Sequence, residues 1–248
     1  MLTRSPRTVN YIRVTLHKVL KGAVLDGLIP RNVCDAVKPS RPCKKEIKPL
    51  SQDQARSLPW AAKGDRLEAL YAIALHCGIR QKELLGLKWE DVDPNTGKPS
   101  VRRTLSETLT GWKFEQPKSG KGRSVKLSQK AAAALRSHRK RRLKEPAPRP
   151  EERFKGLVFA TSDCTPYSCT NLLSQRFRPL LERAGLPAAT RFHDLRHTCA
   201  TMLLKMGQHP KYVQELLGHA SISITLDTYS HVIESMGDGL ADASDGAL

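Results

Sequence analysis

Apolar residues recur at helical spacing from the start of the chain. Val9, Ile12, Leu16, Val19, Leu20 and Ala23 follow a 3.6-residue period, which predicts a helix over 5–25. Ser5 is placed to cap it, Pro6 suits its first turn, and Gly27 ends it. "NVCDAV" reads as one or two further turns, and "KPSRPCKKEIKP" (38–49) as a basic, proline-bearing linker. One helix and a stub cannot enclose a core, so this piece needs other partners.

A second body opens at "LSQDQARSL", where Ser51 and Gln54 form a capping-box pattern. Leu67, Leu70, Tyr71, Ala74 and Leu75 mark one apolar stripe of the next helix, and Gly78 stops it. "IRQKELLGL" starts another at once. Between 91 and 127 the texture changes: "DPNTGK" is a turn, and "SVRRTL", "GWKFEQ" and "RSVKL" read as three short strands. The last two are expected to be joined by "PKSGKG" as a hairpin, giving a small three-stranded antiparallel sheet. "SQKAAAALRSHRKRRLK" returns to helix, "EPAPRPEERFKG" is a loop, and 168–248 is helical apart from turns. The pattern as a whole is α+β, predominantly α-helical.

Composition narrows what such a body does. A 39% hydrophobic content supports a real core, while no run nears the ~20 apolar residues of a membrane span. "MLTRSPRTVN" has no apolar segment behind its arginines, so no signal peptide is expected and a cytoplasmic location is. The six cysteines form no C-x-x-C pair, which points to reduced thiols; neither metal nor other cofactor is expected. The formal charge of +18 is the strongest statement, since lysines and arginines near phosphates release condensed counterions. Nucleic acid is the expected partner. No Lys or Arg follows Lys211, so the acidic end is not the gripping part. The run Arg139 to Lys144 is either a solvated basic helix end or a phosphate contact.

"RFHDLRHTCATMLL" carries the first candidate chemistry. On a helical wheel His193, Arg196 and His197 share one side, opposite a core face of Leu195, Cys199, Met202, Leu203 and Met206. Three polar groups presented near a helix start suit an anion. His193 and His197 also have zinc-helix spacing, but Asp194 stands where a zinc hydrolase needs Glu, and Arg196 would repel a dication. Elsewhere Arg80 follows a glycine helix stop with Glu83 three residues on, Lys118 lies in the hairpin, and "LLGHASISITLDTYSHV" holds His219 and Tyr229.

Singly these are weak; in order they are not. Arg80, Lys118, His193-x-x-Arg196, His219 and Tyr229 resemble the catalytic set of the tyrosine recombinases, the phage integrase family. "GIRQKELLGLKWEDVD", "HDLRHTCATMLL" and "VQELLGHASISITLDTYSHV" match its wording around those residues. The resemblance implies a catalytic domain at 50–233 and an acidic tail at 234–248. It makes 1–37 the C-terminal remnant of a helical core-binding domain whose N-terminal half is missing. It also implies a site-specific recombinase or integrase that cuts and rejoins DNA through a 3′-phosphotyrosyl link, without metal or ATP. Tyr229 would be the nucleophile, Arg80 and Arg196 the phosphate forks, Lys118 the general acid. His193 and His219 would donate hydrogen bonds, and Glu83 would hold Arg80; His197 and His231 are read as structural hydrogen bonders. The implied partners are double-stranded DNA, other copies of the chain (monomer when free, tetramer on DNA) and an accessory directionality factor; the implied place is the nucleoid. Two alternatives stay open: a type IB topoisomerase-like enzyme, and a DNA-binding remnant that no longer cuts.

Overall fold

The computed structural model describes residues 4–40, 48–117, 120, 122–145 and 151–234, with backbone only for 231, 233 and 234. The chain separates into two compact units, Met1–Glu46 and Ile47–Leu248.

In the first unit α1 (Pro6–Leu25) is capped by Ser5, whose Oγ accepts from Thr8 N at 3.2 Å. A short 3₁₀ turn, Val33–Ala36, lies against it. The link is polar: Asn10 exchanges two hydrogen bonds with the Ser40 backbone, Arg13 Nε donates to Val37 O, and His17 pairs with Asp35 at 2.7 Å. No residue of α1 is buried. Its apolar side chains therefore contribute little core, in keeping with the expectation that a helix and a stub cannot enclose one.

The second unit is built around α3 (Glu68–Cys77), with α2 (Gln52–Ala61), α5 (Gln129–Lys144) and α8 (Phe192–Lys205) packed against it. The expected single stripe was too narrow. Ala69, Ala72 and Ile73 are buried as well as Leu70, Tyr71, Ala74 and Leu75, so α3 is covered all round and forms the centre of the core. The capping box of α2 is present: Ser51 Oγ accepts from Gln54 N, and Gln54 Oε1 accepts from Ser51 N. On α5, Ala131, Leu135 and His138 are buried one helical turn apart, and His138 bonds the Val158 carbonyl at 2.7 Å.

The sheet differs from the three strands expected. The first breaks into β1 (Ser100–Val101) and β2 (Thr104–Thr108); β3 is Gly111–Glu115 and β4 is Arg123–Ser124. β2 pairs with β3 through a turn at 109–110, while β1 pairs with β4, giving two antiparallel pairs. Arg102 and Arg103 lie at the break. Arg103 leaves the ladder to bridge Glu90 at 2.8 Å and Asp91 at 2.9 Å. β2 then continues against α4 (Gln81–Leu85), where Gly86 lets the Thr104–Leu105 backbone pass; a Cβ there would lie 3.0 Å from Leu105 N. The expected "PKSGKG" hairpin lies only partly inside the described residues, and its two flanks pair with different strands.

α6 (Cys169–Asn171), a π turn at Leu172–Phe177 and α7 (Arg178–Arg183) run on continuously. After α8 come α9 (Pro210–Leu217) and α10 (Ile222–Glu234). These three form a second apolar cluster of Ala200, Leu204, Val213, Leu217, Tyr229 and Val232.

Candidate active site

Four segments converge: the α3–α4 junction, β4, α8, and the α9–α10 turn. Gly78 ends α3 in the left-handed conformation (φ 61°), and its carbonyl accepts from Arg196 Nη1 at 2.7 Å. A Cβ on Gly78 would meet Leu217 Cδ2 at 2.5 Å and Arg196 Cγ at 3.5 Å. A side chain here would displace Leu217 and would be strained at this positive φ.

Arg80 follows as the N-cap of α4. Glu83, third in that helix, accepts from Arg80 N at 3.0 Å and from Arg80 Nη1 at 2.8 Å, as the sequence suggested. The same carboxylate also takes Arg123 from β4, at 3.1 Å from Nη1 and 2.8 Å from Nη2. Glu83 is 1% exposed, so one buried carboxylate serves two guanidinium groups. Burial would push its pKa up; the hydrogen bonds and charge of Arg123, then of Arg80, overcome this and hold it below the usual carboxylate range. Both arginines reach on to the C-terminal end of α9, Arg80 Nη2 to Gly218 O at 3.2 Å and Arg123 Nε to Leu216 O at 3.1 Å. Sequence reasoning missed Arg123, since one more arginine in a chain of net charge +18 carries no signal of its own.

Arg196 corrects the helical wheel. It is 3% exposed and not on a wet face, because α8 is covered by α3 on one side and by α9 and α10 on the other. Thr198, Ala200, Thr201 and Leu204 are buried with Leu195 and Cys199, whereas Met206, assigned to the core face, is exposed. Among the described residues Arg196 Nη2 has no hydrogen-bond partner. Burial, then the charge of Arg80, lowers its pKa to about 9. Among the described residues Arg80, Arg123 and Arg196 together face one carboxylate, Glu83, an excess of positive charge in a partly desolvated place. The start of α8 favours an anion, and its own Asp194 supplies one as the helix cap. Asp194 accepts from Arg191 N at 2.8 Å and pairs with Arg191 Nη2 at 2.9 Å.

The histidines line this charge. His219 Nδ1 lies 2.8 Å from Thr225 Oγ1, and its carbonyl accepts from Gln214 Nε2. Burial and the neighbouring Arg196 and Arg80 lower its pKa to about 4. His193 is exposed as a residue, yet it is lowered too, by loss of solvent around the ring and by His197, Arg196 and Arg80. The cationic neighbours support that direction whatever water reaches the ring.

Tyr229 is fully buried, at a kink in α10 (φ −120°, ψ 21°). Its Oη lies 2.9 Å from His197 Nδ1, and His197 meets the His193 ring edge-on at 4.8 Å. Burial raises the phenol to about 12 against the opposing field of Arg196. His197, read from sequence as a structural hydrogen bonder, thus contacts the tyrosine itself. Lys118 lies outside the described residues, as does the His231 side chain. Much of the basic run ending α5 is engaged within the unit: Arg142 pairs with Glu145, Arg141 donates to Gly64 O, and Arg139 stacks over Trp89.

Guanidinium groups in this arrangement, beside a phenol and imidazoles, are able to hold an anion of phosphate type. The chain belongs to the phage integrase family, whose model matches residues 48–236. It is 34% identical over 250 residues to a tyrosine recombinase XerC-like protein of Caldanaerobacter subterraneus subsp. tengcongensis, covering 93% of this chain and 63% of that one. The prophage integrase IntR of Escherichia coli K12 is 30% identical, over 95% of this chain and 60% of its own. Among solved structures, the Tn1549 transposon integrase in complex with a circular intermediate DNA superposes with a TM-score of 0.79 at 24% identity, covering 91% of this chain and 76% of that one. That likeness concerns the fold. The chain thus spans under two thirds of the length of both curated relatives.

Proposed function

We propose that the chain is a site-specific DNA recombinase or integrase that cuts and rejoins double-stranded DNA through a 3′-phosphotyrosyl intermediate. The observation that carries this reading is Arg196, a buried cation whose Nη2 has no hydrogen-bond partner among the described residues, beside a buried tyrosine. Removing a guanidinium from water without an anionic partner is costly. A scissile phosphate between Arg80 and Arg196 supplies that partner and places phosphorus where Tyr229 can attack. Two arginines then neutralise the nonbridging oxygens as charge builds, which requires no metal. Tyr229 is the nucleophile, Lys118 the general acid for the departing 5′-oxygen, and Glu83 holds Arg80. His193 and His219, neutral near pH 7, donate hydrogen bonds to the phosphate. Because the ester energy is kept in the phosphotyrosine, a 5′-hydroxyl from another strand can complete an exchange without ATP.

In this reading 1–37 corresponds to the closing helical part of a core-binding domain, 38–49 is a linker, 50–233 is catalytic, and 234–248 is an acidic tail. The working form is a tetramer on DNA assembled from monomers, in the cytoplasm at the nucleoid, with an accessory directionality factor as a further partner. The test is covalent capture on a pool of nicked duplexes with random sequence. Wild type is expected to form an adduct that survives denaturation and to select one duplex; Tyr229→Phe forms none. An adduct that persists in Tyr229→Phe removes Tyr229 as nucleophile, and no adduct from wild type removes the recombinase reading.

A further inference from the structure

The attacking oxygen is in contact with a histidine of α8. His197 Nδ1 is 2.9 Å from Tyr229 Oη, with the two rings 5.9 Å apart in an edge arrangement. Among the described residues it is the one side chain within hydrogen-bond distance of that oxygen. His193, one helical turn earlier, meets the far partner of this contact, the His197 ring, edge-on at 4.8 Å. Resting on the reading of Tyr229 as nucleophile, we propose that His197 is a further catalytic residue: the general base that takes the phenolic proton during cleavage and returns it during rejoining.

The surroundings fit that task. A phenol with a pKa near 12 is a poor nucleophile at neutral pH and needs its proton removed as it attacks. A base must itself be neutral beforehand, and His197 is held so. Burial lowers its pKa, with Arg196 and Arg191 acting in the same sense; Asp194 opposes them but is committed to Arg191 and to the α8 cap. Once the proton arrives, the imidazolium is formed beside Asp194, which tempers the cost of the new charge. The steps balance. The Tyr229 O–H bond breaks and its proton passes to His197 Nδ1, while the phenol oxygen bonds to phosphorus. The P–O5′ bond breaks with its electron pair on O5′, which takes a proton from the general acid. In rejoining, an incoming 5′-hydroxyl gives its proton to the deprotonated general acid and attacks phosphorus, the bond from phosphorus to the Tyr229 oxygen breaks with its electron pair on that oxygen, and the departing phenolate recovers its proton from His197. The bland alternative, that His197 merely satisfies a buried hydroxyl, predicts no dependence on which imidazole nitrogen carries the proton.

Two measurements decide. In ¹⁵N-histidine-labelled free protein, Nδ1 of His197 should show the shift of an unprotonated nitrogen, assigned by its change in Tyr229→Phe. A protonated Nδ1 would overturn the proposal, with or without DNA cleavage. The second uses the nicked duplex that wild type selects, made also with a 5′-bridging sulfur at the scissile phosphate, a leaving group that needs no acid. His197→Phe, confirmed folded by its thermal melt, should form adduct about 10²-fold slower or worse, within the usual range for an acid–base group. The deficit should remain on the sulfur substrate, whereas Lys118→Ala should recover there. Adduct formation by His197→Phe within threefold of wild type, or its recovery on the sulfur substrate, defeats the base assignment and leaves the recombinase reading intact. Failure of wild type to react at all defeats both.

Discussion

Glu83→Gln is the most informative single substitution in the site. The wild-type carboxylate accepts four hydrogen bonds, two from Arg80 and two from Arg123, and is the buried negative charge facing three guanidinium groups. The arginine side chains are themselves 24% and 11% exposed, so solvent relieves little of their mutual repulsion. Gln keeps the shape and one acceptor oxygen but turns the other into an NH₂ that points donor against donor. Removing one partner from a buried ion pair costs about 3–5 kcal/mol, because the remaining charge stays uncompensated. Against the ~5–15 kcal/mol of a typical domain that is a large share. At about 2–4 °C per kcal/mol for this chain length, the melting temperature should fall by roughly 6–20 °C. The pH profile carries the sign. Glu83 has a depressed folded pKa, so its contribution is complete above the unfolded carboxylate pKa and is lost as pH falls through the folded one. Urea midpoints for wild type and Glu83→Gln should therefore differ most at neutral pH and converge on acidification. A variant within about 1 kcal/mol of wild type at pH 7 would refute the clamp.

Two further outcomes follow from the same geometry. Gly218→Ala places a Cβ 2.8 Å from Arg123 Nη1 at a φ of +66°; it should cost about 1–3 kcal/mol in chemical denaturation and loosen Arg123 from Glu83. A stability equal to wild type would show that Arg123 is not seated on this turn. His219, with its pKa lowered to about 4, should still be neutral by NMR titration at pH 6. Since the unfolded chain binds that proton near pH 6.5, stability is full above this value and falls between pH 6.5 and 4; a His219 titrating at 6.5 or higher would contradict the packing around it.

The helices of both units were legible where their punctuation is local. Ser5, Ser51 and Gly78 act where the sequence places them, and the Arg80–Glu83 contact follows from three-residue spacing at a helix start. What the sequence hid is non-local. A wheel assumes one covered face, and α8 has two, so Arg196 appeared on the wet side with His193 although it is buried there. Strand alternation cannot tell which of four short segments pair, and the pairing of β1 with β4 is what carries Arg123 to Glu83. His197 and Tyr229 lie on different helices, and nothing in either local pattern reports that a kink in α10 brings the phenol to that imidazole.

Arg196 sets function against stability in a way that can be measured. Its charge is buried, its pKa is lowered, and Gly78 O is the acceptor it has found. Replacing buried ionic groups by apolar residues of similar size is often neutral or stabilising by ~1–4 kcal/mol. Arg196→Met keeps the stem that packs near Gly78 but leaves that carbonyl unpaired, at a cost of ~1–3 kcal/mol. The two effects nearly cancel, so Arg196→Met should unfold within about 2 kcal/mol of wild type, on either side. Adduct formation on the nicked duplex should nonetheless fall by about 10² or more, the usual consequence of removing one charge-stabilising donor. A structural arginine would give the opposite pair, a large loss of stability with residual chemistry in proportion to the folded fraction. If Arg196→Met is destabilised by more than 3 kcal/mol, Nη2 is not an unmet demand for phosphate but part of the scaffold.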